Sequence, residues 1–390
     1  MVKGFKASAV SAGLKKNGKK DLALIVSDCP ASVAGVFTRN RVQAAPVVLS
    51  RQRTAGGVCR AIIANSGNAN CCTGQKGMED AVSMTRSVAD SLGIDLQHVM
   101  AASTGVIGEP LKIEAIQAAV PGLADALTPD GFSAASEAIM TTDTAPKLVS
   151  RQGEIDGRAY RITAMAKGAG MIRPDMATML CFVCTDMDID AGDLQHALVY
   201  ANERSFNRIT IDGDTSTNDT VLVMANGASG AHAATTDQKE AFAGLLSEVL
   251  GDLAKMIVSD GEGATKCVEI KVKGALSDQE ARLMADTVAN SNLVKTAFFG
   301  EDANWGRIMA ALGRSGAEFD PEKADISFSG VKMVENGQGC GADAEAAATQ
   351  VMRRDEFCVE IDVRAGNGRA SVLTCDFSVD YVKINADYRT

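Results

Sequence analysis

The sequence predicts an α+β protein in which helices and mostly antiparallel strands pack in layers. Three observations carry this prediction. Apolar residues recur at helical spacing over 77–93 and 235–257. Apolar and polar residues alternate over 357–384 around a Gly-Asn-Gly turn, which favours an antiparallel hairpin. Short apolar runs separated by Gly- and Asn-rich turns fill the N-terminal part.

The N-terminal elements begin with strands. The runs LALIVS (22–27) and RAIIANSG (60–67) are short and β-prone. A helix follows over 77–93, and Gly93 is placed to end it. The run CFVCTDMDI (181–189) predicts a further buried strand.

Two more helices follow in the second half. The helix at 235–257 has Asp237 and Glu240 at capping-box spacing, and another begins at Ser277 with Glu280 three residues on. Helical spacing gives the first of these an apolar stripe, formed by Phe242, Leu245, Val249, Leu253 and Met256.

Composition limits the class of protein. A chain of 390 residues with 46% hydrophobic content can bury a large core, and two lobes are expected. A net charge of -10 and a pI near 5.0 argue against nucleic acid or an anionic membrane as partner, which leaves small molecules or proteins. The start resembles no signal peptide and no run is long enough to span a membrane, so a cytoplasmic location is expected.

Cysteine and histidine usage argues against metal and disulfide chemistry. The ten cysteines show no disulfide framework and are expected to be reduced thiols. Cys181 and Cys184 form a lone CxxC that fits core packing better than a metal site. Three histidines supply neither a Ser/His/Asp relay nor a His-rich metal centre, so any catalytic base is of another kind.

The segment KGAGMIRPDMATML (167–180) places Thr178 behind the small residue Ala177 and just before the predicted strand. A threonine hydroxyl is a weak nucleophile until a base removes its proton. The threonine's own α-amine can be that base once the chain is cut before it. Most threonines at such a position only start a strand. This segment by itself therefore does not decide between a structural threonine and a nucleophile.

Further blocks extend the argument along the whole chain. Together with 167–180, the sequence resembles the ornithine acetyltransferase family of arginine biosynthesis, also described as bifunctional glutamate N-acetyltransferases. The matching blocks, in order, are NSGNANCCTG, STGVIGEP, MTTDTAPK, DGDTSTNDT, DGEGATK, GEDANWGRI and NADYRT.

The resemblance implies an architecture and a maturation step. The implied fold is the layered, two-lobed α+β superfold of N-terminal-nucleophile type shared by ornithine acetyltransferases and DmpA-like proteins. The implied cleavage falls between Ala177 and Thr178, giving an α chain (1–177) and a β chain (178–390) that fold together. The family's heterodimers further suggest an α2β2 tetramer.

The implied activity is a two-step transfer. Thr178 attacks the acetyl group of N-acetylornithine, releases ornithine and passes the acetyl group to glutamate through an acetyl-threonine. No cofactor is expected, and acetyl-CoA is a possible second donor.

Family counterparts also point to the residues of the site. Thr104 and Gly105 match the pair that stabilises the oxyanion. Lys167 suits a substrate carboxylate and Glu262 suits the ammonium of ornithine. The remaining expected substrate-binding residues are Thr141, Thr178 itself, Asn385 and the last residue, Thr390.

Two other functions stay open at the level of sequence. One is an amidohydrolase or aminopeptidase of the same superfold, in which water takes the acyl group. The other is a non-enzymatic protein whose Gly/Asn/Thr-rich loops hold a ligand. DGEGATK lacks phosphate-loop spacing, and DGDTSTNDT has Thr217 and Val223 where a calcium loop needs glycine and glutamate.

Overall fold

A computed structural model describes residues 1–16, 18–173 and 179–387. The chain forms two compact units. Among the described residues, the first contains Met1–Asn207 and Asp214–Ile257, and the second contains Arg208–Gly213 and 258–387. The prediction of two lobes is therefore confirmed, and none of the three boundaries coincides with the predicted cleavage position.

The first unit is built on a sheet with eight strands among the described residues. The strands follow the order β4-β3-β2-β8-β7-β6-β5, with β1 paired to the first half of β2. They are β1 (Phe5–Val10), β2 (Leu22–Phe37), β3 (Val58–Asn68), β4 (Val99–Val106), β5 (Lys147–Ile155), β6 (Arg158–Lys167), β7 (Leu180–Thr185) and β8 (Thr220–Ala225).

Helices pack on both faces of this sheet. Ile62 of β3 faces the core that contains Phe132 and Ala135, whereas the adjacent Ile63 faces the core that contains Met84 and Ile116. This alternation is what a strand buried on both sides requires. The helices are α1 (Ala45–Thr54), α2 (Gly74–Leu92), α3 (Ile113–Asp125), α4 (Phe132–Ala138), α5 (Ala191–Arg204) and α6 (Thr236–Ser259).

The second unit has a six-stranded sheet in the order β12-β11-β10-β13-β9-β14. One face of it packs against helices around a core that includes Val268, Ile270, Met284 and Val359. The strands are β9 (Cys267–Ala275), β10 (Asp325–Phe328), β11 (Val331–Glu335), β12 (Gln338–Gly339), β13 (Glu356–Asp362) and β14 (Gly368–Cys375). The helices are α7 (Asp278–Ala289), α8 (Asn292–Phe299), α9 (Trp305–Gly313), α10 (Ala342–Met352) and α11 (Val379–Ala386). The prediction of a layered α+β fold is confirmed.

The predicted hairpin at the C-terminus is wrong. β13 and β14 do not pair with each other, because β9 lies between them, parallel to β13 and antiparallel to β14. The Gly-Asn-Gly segment instead leads the chain past the end of β9, where Ala365 and Gly366 donate to the carbonyl of Gly274. A local turn signal cannot reveal a strand that enters from far earlier in the sequence.

The end of the predicted C-terminal hairpin and the start of α6 also differ from the predictions. Residues 379–386 form the helix α11, because Ser378 caps it by accepting from the amides of Asp380 and Tyr381. Thr235 and Gln238, rather than Asp237 and Glu240, make the capping contacts of α6.

The predicted stripe of α6 is confirmed for the most part. Phe242, Val249 and Leu253 are buried, but Leu246 and Leu250 are more deeply buried than Leu245. The helices predicted over 77–93 and from Ser277 are confirmed. Gly93 adopts the left-handed conformation that ends α2.

The thiols of Cys181 and Cys184 lie in the core of the first unit, as expected, and burial raises the pKa of both. Across the described ranges, no group of three or more His, Cys, Asp or Glu side chains is placed to hold a metal ion. Within the same ranges, each helix is too short or too polar to cross a membrane.

Candidate active site

Thr104 and Gly105 lie at the end of β4, where its parallel pairing with β3 becomes irregular. Gly105 has φ +134°, and a Cβ on it would come within 2.4 Å of the Asn68 amide nitrogen. Any side chain would therefore clash with backbone, and only glycine fits. The hydroxyl-bearing Thr104 next to it is buried. Glycine is common where the backbone must approach a ligand closely.

A cavity of about 290 Å³ opens beside Gly105. Thr141, another predicted site residue, lines it together with Gly67. Its wall also contains three lysines, Lys15, Lys16 and Lys112, against one carboxylate, Glu109. A cationic wall suits a substrate that carries a carboxylate.

Asp143 connects Thr141 to Lys167. Its Oδ2 accepts the amide of Thr141 at 2.9 Å, and its Oδ1 accepts the amide of Gly168 at 2.7 Å. The ammonium of Lys147 donates to Oδ1 at 2.7 Å, and that of Lys167 lies 3.9 Å from Oδ2. One buried carboxylate thus holds two backbone segments and two buried lysines in place.

The electrostatics of this cluster favour the charged forms. Burial by itself raises the pKa of Asp143, but Lys167 and then Lys147 outweigh it and lower the pKa to about 2. Asp143 is therefore ionised at neutral pH. The ionised carboxylate in turn stabilises the two buried lysines, Lys147 and Lys167.

Asn218 links the end of β4 to the loop before β8. Its side-chain amide donates to the carbonyls of Ala69 at 2.7 Å and Ser103 at 2.8 Å. Ser103 directly precedes Thr104, and its hydroxyl donates to Asn65 at 2.5 Å. These buried contacts fix the position of the Thr104–Gly105 segment relative to β8.

Asp219 links the same loop to the start of β7. Its Oδ1 accepts the amide of Met179 at 3.0 Å, and the carbonyl of Met179 accepts the amide of Thr220 at 3.0 Å. Asp219 is fully buried. Burial raises the pKa of Asp219 well above its ordinary value, although the Met179 amide, Lys167 and Ser216 favour the ionised form.

The second unit brings together two further predicted residues. The side-chain amide of Asn385, on α11, donates to Glu262 Oε2 at 2.8 Å. Glu262 is 9% exposed and belongs to the loop before β9. The amide donor orients the Glu262 carboxylate, and a carboxylate is the group that recognition of an ammonium requires.

Two residues that follow the end of β14 hold the loop that carries Glu262. Asp376 accepts the amides of Thr265 and Lys266 and the hydroxyl of Thr265, all between 2.7 and 2.9 Å. The hydroxyl of Ser378 donates to the carbonyl of Gly263 at 2.6 Å. Gly263 has φ +67°, and a Cβ on it would meet the Tyr381 amide nitrogen at 2.6 Å. The loop is therefore fixed by backbone contacts rather than by Glu262 itself.

The structure thus connects Thr104, Gly105, Thr141 and Lys167 within the first unit and joins Glu262 to Asn385 within the second. Ala177, Thr178 and Thr390 lie outside the described residues. The strand predicted to follow the nucleophile is present, beginning at Leu180.

Sequence reasoning did not identify the partners of the connecting groups. Asp143, Asn218 and Asp219 stand inside the quoted blocks MTTDTAPK and DGDTSTNDT. The side chains of the second block are of the kind that braces loops, and Asn218 does so, but no specific contact could be assigned from the sequence. The feature of the sequence that could have indicated these residues is the clustering of short polar side chains next to predicted strand ends, because functional residues are frequent in such loops.

Comparison with known proteins identifies the chain at two levels. The fold is a layered α+β fold with a lysine-lined cavity beside Gly105, and the model of the ArgJ family matches residues 6–390. The chain belongs to the ArgJ family. It is accordingly an acetyl-transferring enzyme of arginine biosynthesis, and the non-enzymatic alternative is set aside.

Individual relatives agree with this membership. The arginine biosynthesis bifunctional protein ArgJ of Geobacter sulfurreducens is 56% identical, with 100% of both chains covered. That of Syntrophotalea carbinolica is 54% identical over 100% of this chain and 99% of its own. A crystal structure of the protein of that name from Bacillus halodurans is 44% identical with a TM-score of 0.51, and the match covers 53% of this chain and 98% of that chain.

Proposed function

We propose that this protein cleaves itself between Ala177 and Thr178 and then transfers the acetyl group of N-acetylornithine to glutamate through Thr178. One observation carries the proposal. The buried contacts Ser103–Asn218 and Asp219–Met179 tie the Thr104–Gly105 segment to the residue that follows Thr178. A nucleophile and its oxyanion donors must be neighbours, and this connection supports such a pairing.

The roles of the remaining residues follow from charge and position. Thr104 and Gly105 stabilise the oxyanion of each tetrahedral intermediate. Lys167 attracts the substrate carboxylate from within its cluster with Asp143, and Thr141 borders the cavity beside it. In the second unit, Glu262 binds the ammonium group of ornithine, and Asn385 orients the Glu262 carboxylate. Thr390 is a further proposed substrate-binding residue.

The chemistry consists of two acyl transfers on one threonine. The α-amine of Thr178 takes the proton from its own hydroxyl, which attacks the acetyl carbonyl of N-acetylornithine. The bond from the acetyl carbon to the ornithine nitrogen breaks, and ornithine leaves with the proton that the α-amine of Thr178 had taken. The amine of glutamate then attacks the acetyl-threonine, which gives N-acetylglutamate and returns a proton to the Thr178 oxygen. A neutral α-amine is a suitable base because its ordinary pKa lies between about 7.7 and 8.0.

The cleavage has support from the sheet and from a relative. The cut falls in the connection between β6 and β7, which are paired antiparallel from Ile162–Thr185 to Lys167–Leu180. Both fragments would therefore keep their places in one sheet. The Bacillus halodurans chain, matched over 98% of its own length, covers 53% of this chain, as expected of one product of such a cut.

The wider setting is part of the proposal. The relatives' name, bifunctional protein, supports acetyl-CoA as a second acetyl donor. A cytoplasmic location and an α2β2 assembly complete it. Fractionation of the source cells and light scattering of the purified protein test these two points.

Activity and processing are tested together. Purified protein should give two bands on a denaturing gel, matching residues 1–177 and 178–390. It should release more than one equivalent of ornithine per active site from N-acetylornithine only when glutamate is present. Thr178→Ala should give one band and no transfer. The exposed Thr236→Ala serves as control and should behave as the unchanged protein. Ornithine release at full rate without glutamate would instead favour an amidohydrolase or aminopeptidase, in which water takes the acyl group.

A further inference from the structure

Three lysines on the cavity beside Gly105 form no ion pair with a described carboxylate. The ammonium groups of Lys15 and Lys112 donate to backbone carbonyls, and that of Lys16 has no hydrogen bond or ion pair with a described residue. Glu109 lies on the same cavity without pairing with any of them. The chain as a whole is acidic, with a net charge of -10. Three such lysines on one cavity of an acidic protein indicate an anionic ligand.

The fold itself fixes Lys15 in the cavity wall. Asp21 is fully buried, and its carboxylate accepts the amides of Ala12 and Leu14 at 2.6 Å and that of Lys15 at 3.0 Å. The same loop packs against Gly67, where an added Cβ would meet the Leu14 backbone and Lys15 Cγ at 3.4 Å. This part of the wall is therefore formed before any ligand binds.

The surroundings of the Lys15 ammonium favour a bound anion. Lys15 is half-buried, and its Nζ donates to the carbonyls of Lys20 at 2.9 Å and Ala138 at 3.4 Å. Burial lowers the pKa of Lys15, although Asp21 and Asp143 act in the opposite direction. A negatively charged ligand in the cavity would stabilise the charged form of this lysine.

The cavity also has an apolar wall, formed by Leu14, Val106 and Pro110. The side-chain amide of Asn68 donates to the carbonyl of Pro110 at 3.2 Å and holds this wall in place. Apolar walls with a few fixed polar groups are typical of small-molecule sites. The wall therefore suits a ligand with an uncharged arm as well as negative charges.

Exposure differs between the parts of the cavity. Gly105 and Thr141 are half-buried, whereas Lys16 and Lys112 are exposed. A ligand in the cavity can therefore place a reactive group beside Gly105 and its charges at the surface. Lys167 is already proposed for the carboxylate of the amino-acid substrate, so the three further lysines indicate a ligand with several negative charges.

We propose that Lys15, Lys16 and Lys112 bind the phosphate groups of acetyl-CoA, with the thioester end of the molecule towards Gly105. This inference rests on the proposed function, in which acetyl-CoA is the second acetyl donor. Coenzyme A carries a pyrophosphate and a 3′-phosphate, and an uncharged arm joins them to the sulfur. Lysine binds phosphate as a point charge, which matches the phosphates, and the apolar wall matches the arm.

The experiment compares two acetyl donors with glutamate as acceptor. S-acetylpantetheine has the thioester and the arm of acetyl-CoA but lacks the nucleotide and its phosphates. Initial rates are measured for the unchanged chain and for the double variant Lys16→Gln/Lys112→Gln. In the double variant, KM for acetyl-CoA should rise about tenfold or more, while KM for S-acetylpantetheine and for N-acetylornithine should stay within about twofold, because only the bonds to phosphate are lost.

The double variant Lys6→Gln/Lys239→Gln is the matched control. It removes the same number of charges from the first unit, but these lysines pair with Asp28 and Asp193 away from the cavity. KM for acetyl-CoA should stay at the value of the unchanged chain. An equal rise in both double variants would show an effect of net charge alone and would overturn the inference.

The remaining outcomes separate the inference from the proposed function. A KM for acetyl-CoA that does not change in Lys16→Gln/Lys112→Gln overturns the inference and leaves acetyl-CoA standing as a donor. An equal rise in KM for N-acetylornithine, glutamate or S-acetylpantetheine overturns it too, because the lysines would then not act on phosphate. If the unchanged chain uses N-acetylornithine but not acetyl-CoA, the inference fails together with the proposed second donor, and transfer from N-acetylornithine stands.

Discussion

At the scale of single residues, the site depends on positions where only one type of residue fits. Gly105 is such a position, since its φ and its contact with the Asn68 amide both exclude a Cβ. Lys147 is another, because a lysine that is 1% exposed needs the carboxylate of Asp143. Substitutions at these residues should have effects far larger than ordinary surface changes.

Gly105→Ala should lower kcat for acetyl transfer about 100- to 1000-fold, because the added methyl group displaces the proposed oxyanion donors. Steady-state kinetics with N-acetylornithine and glutamate measure this. Gly108→Ala is the control, since Gly108 also has positive φ but a Cβ there meets no atom within 4 Å. A kcat for Gly105→Ala close to that of Gly108→Ala would contradict the assignment.

Asp143 should make the stability of the protein sensitive to acid. Its pKa is about 2, below the ordinary value, so the stabilisation is complete above pH 4 and is lost as the pH falls from about 4 towards 2. The loss amounts to about 2 kcal/mol, since each pKa unit corresponds to about 1.4 kcal/mol.

Urea unfolding between pH 2 and 5 tests this. The free energy of unfolding of the unchanged chain should fall more steeply with acid than that of Asp143→Asn, which starts from a lower stability because Lys147 loses its partner. Asp28→Asn removes an exposed pair with Lys6 and should leave the slope unchanged. Equal slopes for the unchanged chain and Asp143→Asn would rule out this role.

At the scale of elements, loops are held by groups that never meet a substrate. Asp376 accepts three hydrogen bonds from the loop that carries Glu262, and Asn218 bridges two strand ends in the first unit. Local sequence patterns identified three of the helices, α2, α6 and α7, and placed strands at β2, β3 and β7. They failed for β13 and β14, where pairing with β9 depends on residues about 90 positions away.

Asp376→Asn should raise KM for N-acetylornithine about tenfold and leave kcat within a fewfold. An amide accepts at one oxygen only, so the loop is loosened while Glu262 remains, and each lost hydrogen bond to a charged group is worth about 1.5–3 kcal/mol. Asp343→Asn, at an exposed position in α10, should leave KM unchanged. A fall in kcat with constant KM would instead place Asp376 in the chemical step.

At the scale of the whole molecule, the proposed cut falls in the connection between two neighbouring strands of one sheet. β6 and β7 pair over six residues of each strand, and β7 pairs with β8 on its other side. Main-chain hydrogen bonds and the buried face of β7 should hold the fragments together after the cut.

The mature protein should therefore elute as one species in size-exclusion chromatography and separate into two chains only in denaturant. Fractions from a native column, run on a denaturing gel, measure this, with uncleaved Thr178→Ala as the reference for elution volume. Fragments that separate under native conditions would show that the β6–β7 pairing does not survive cleavage.

The sequence by itself determined the class of fold, the family and the residues expected to meet substrate, because these depend on local periodicity and on short ordered blocks. Only the tertiary structure decided the order of the strands and the contacts that join the blocks. Asp143, Asn218 and Asp219 bind backbone amides, carbonyls and lysines from distant segments. Such contacts arise when strand ends meet at one edge of a sheet, and no pattern along the chain records which ends will meet.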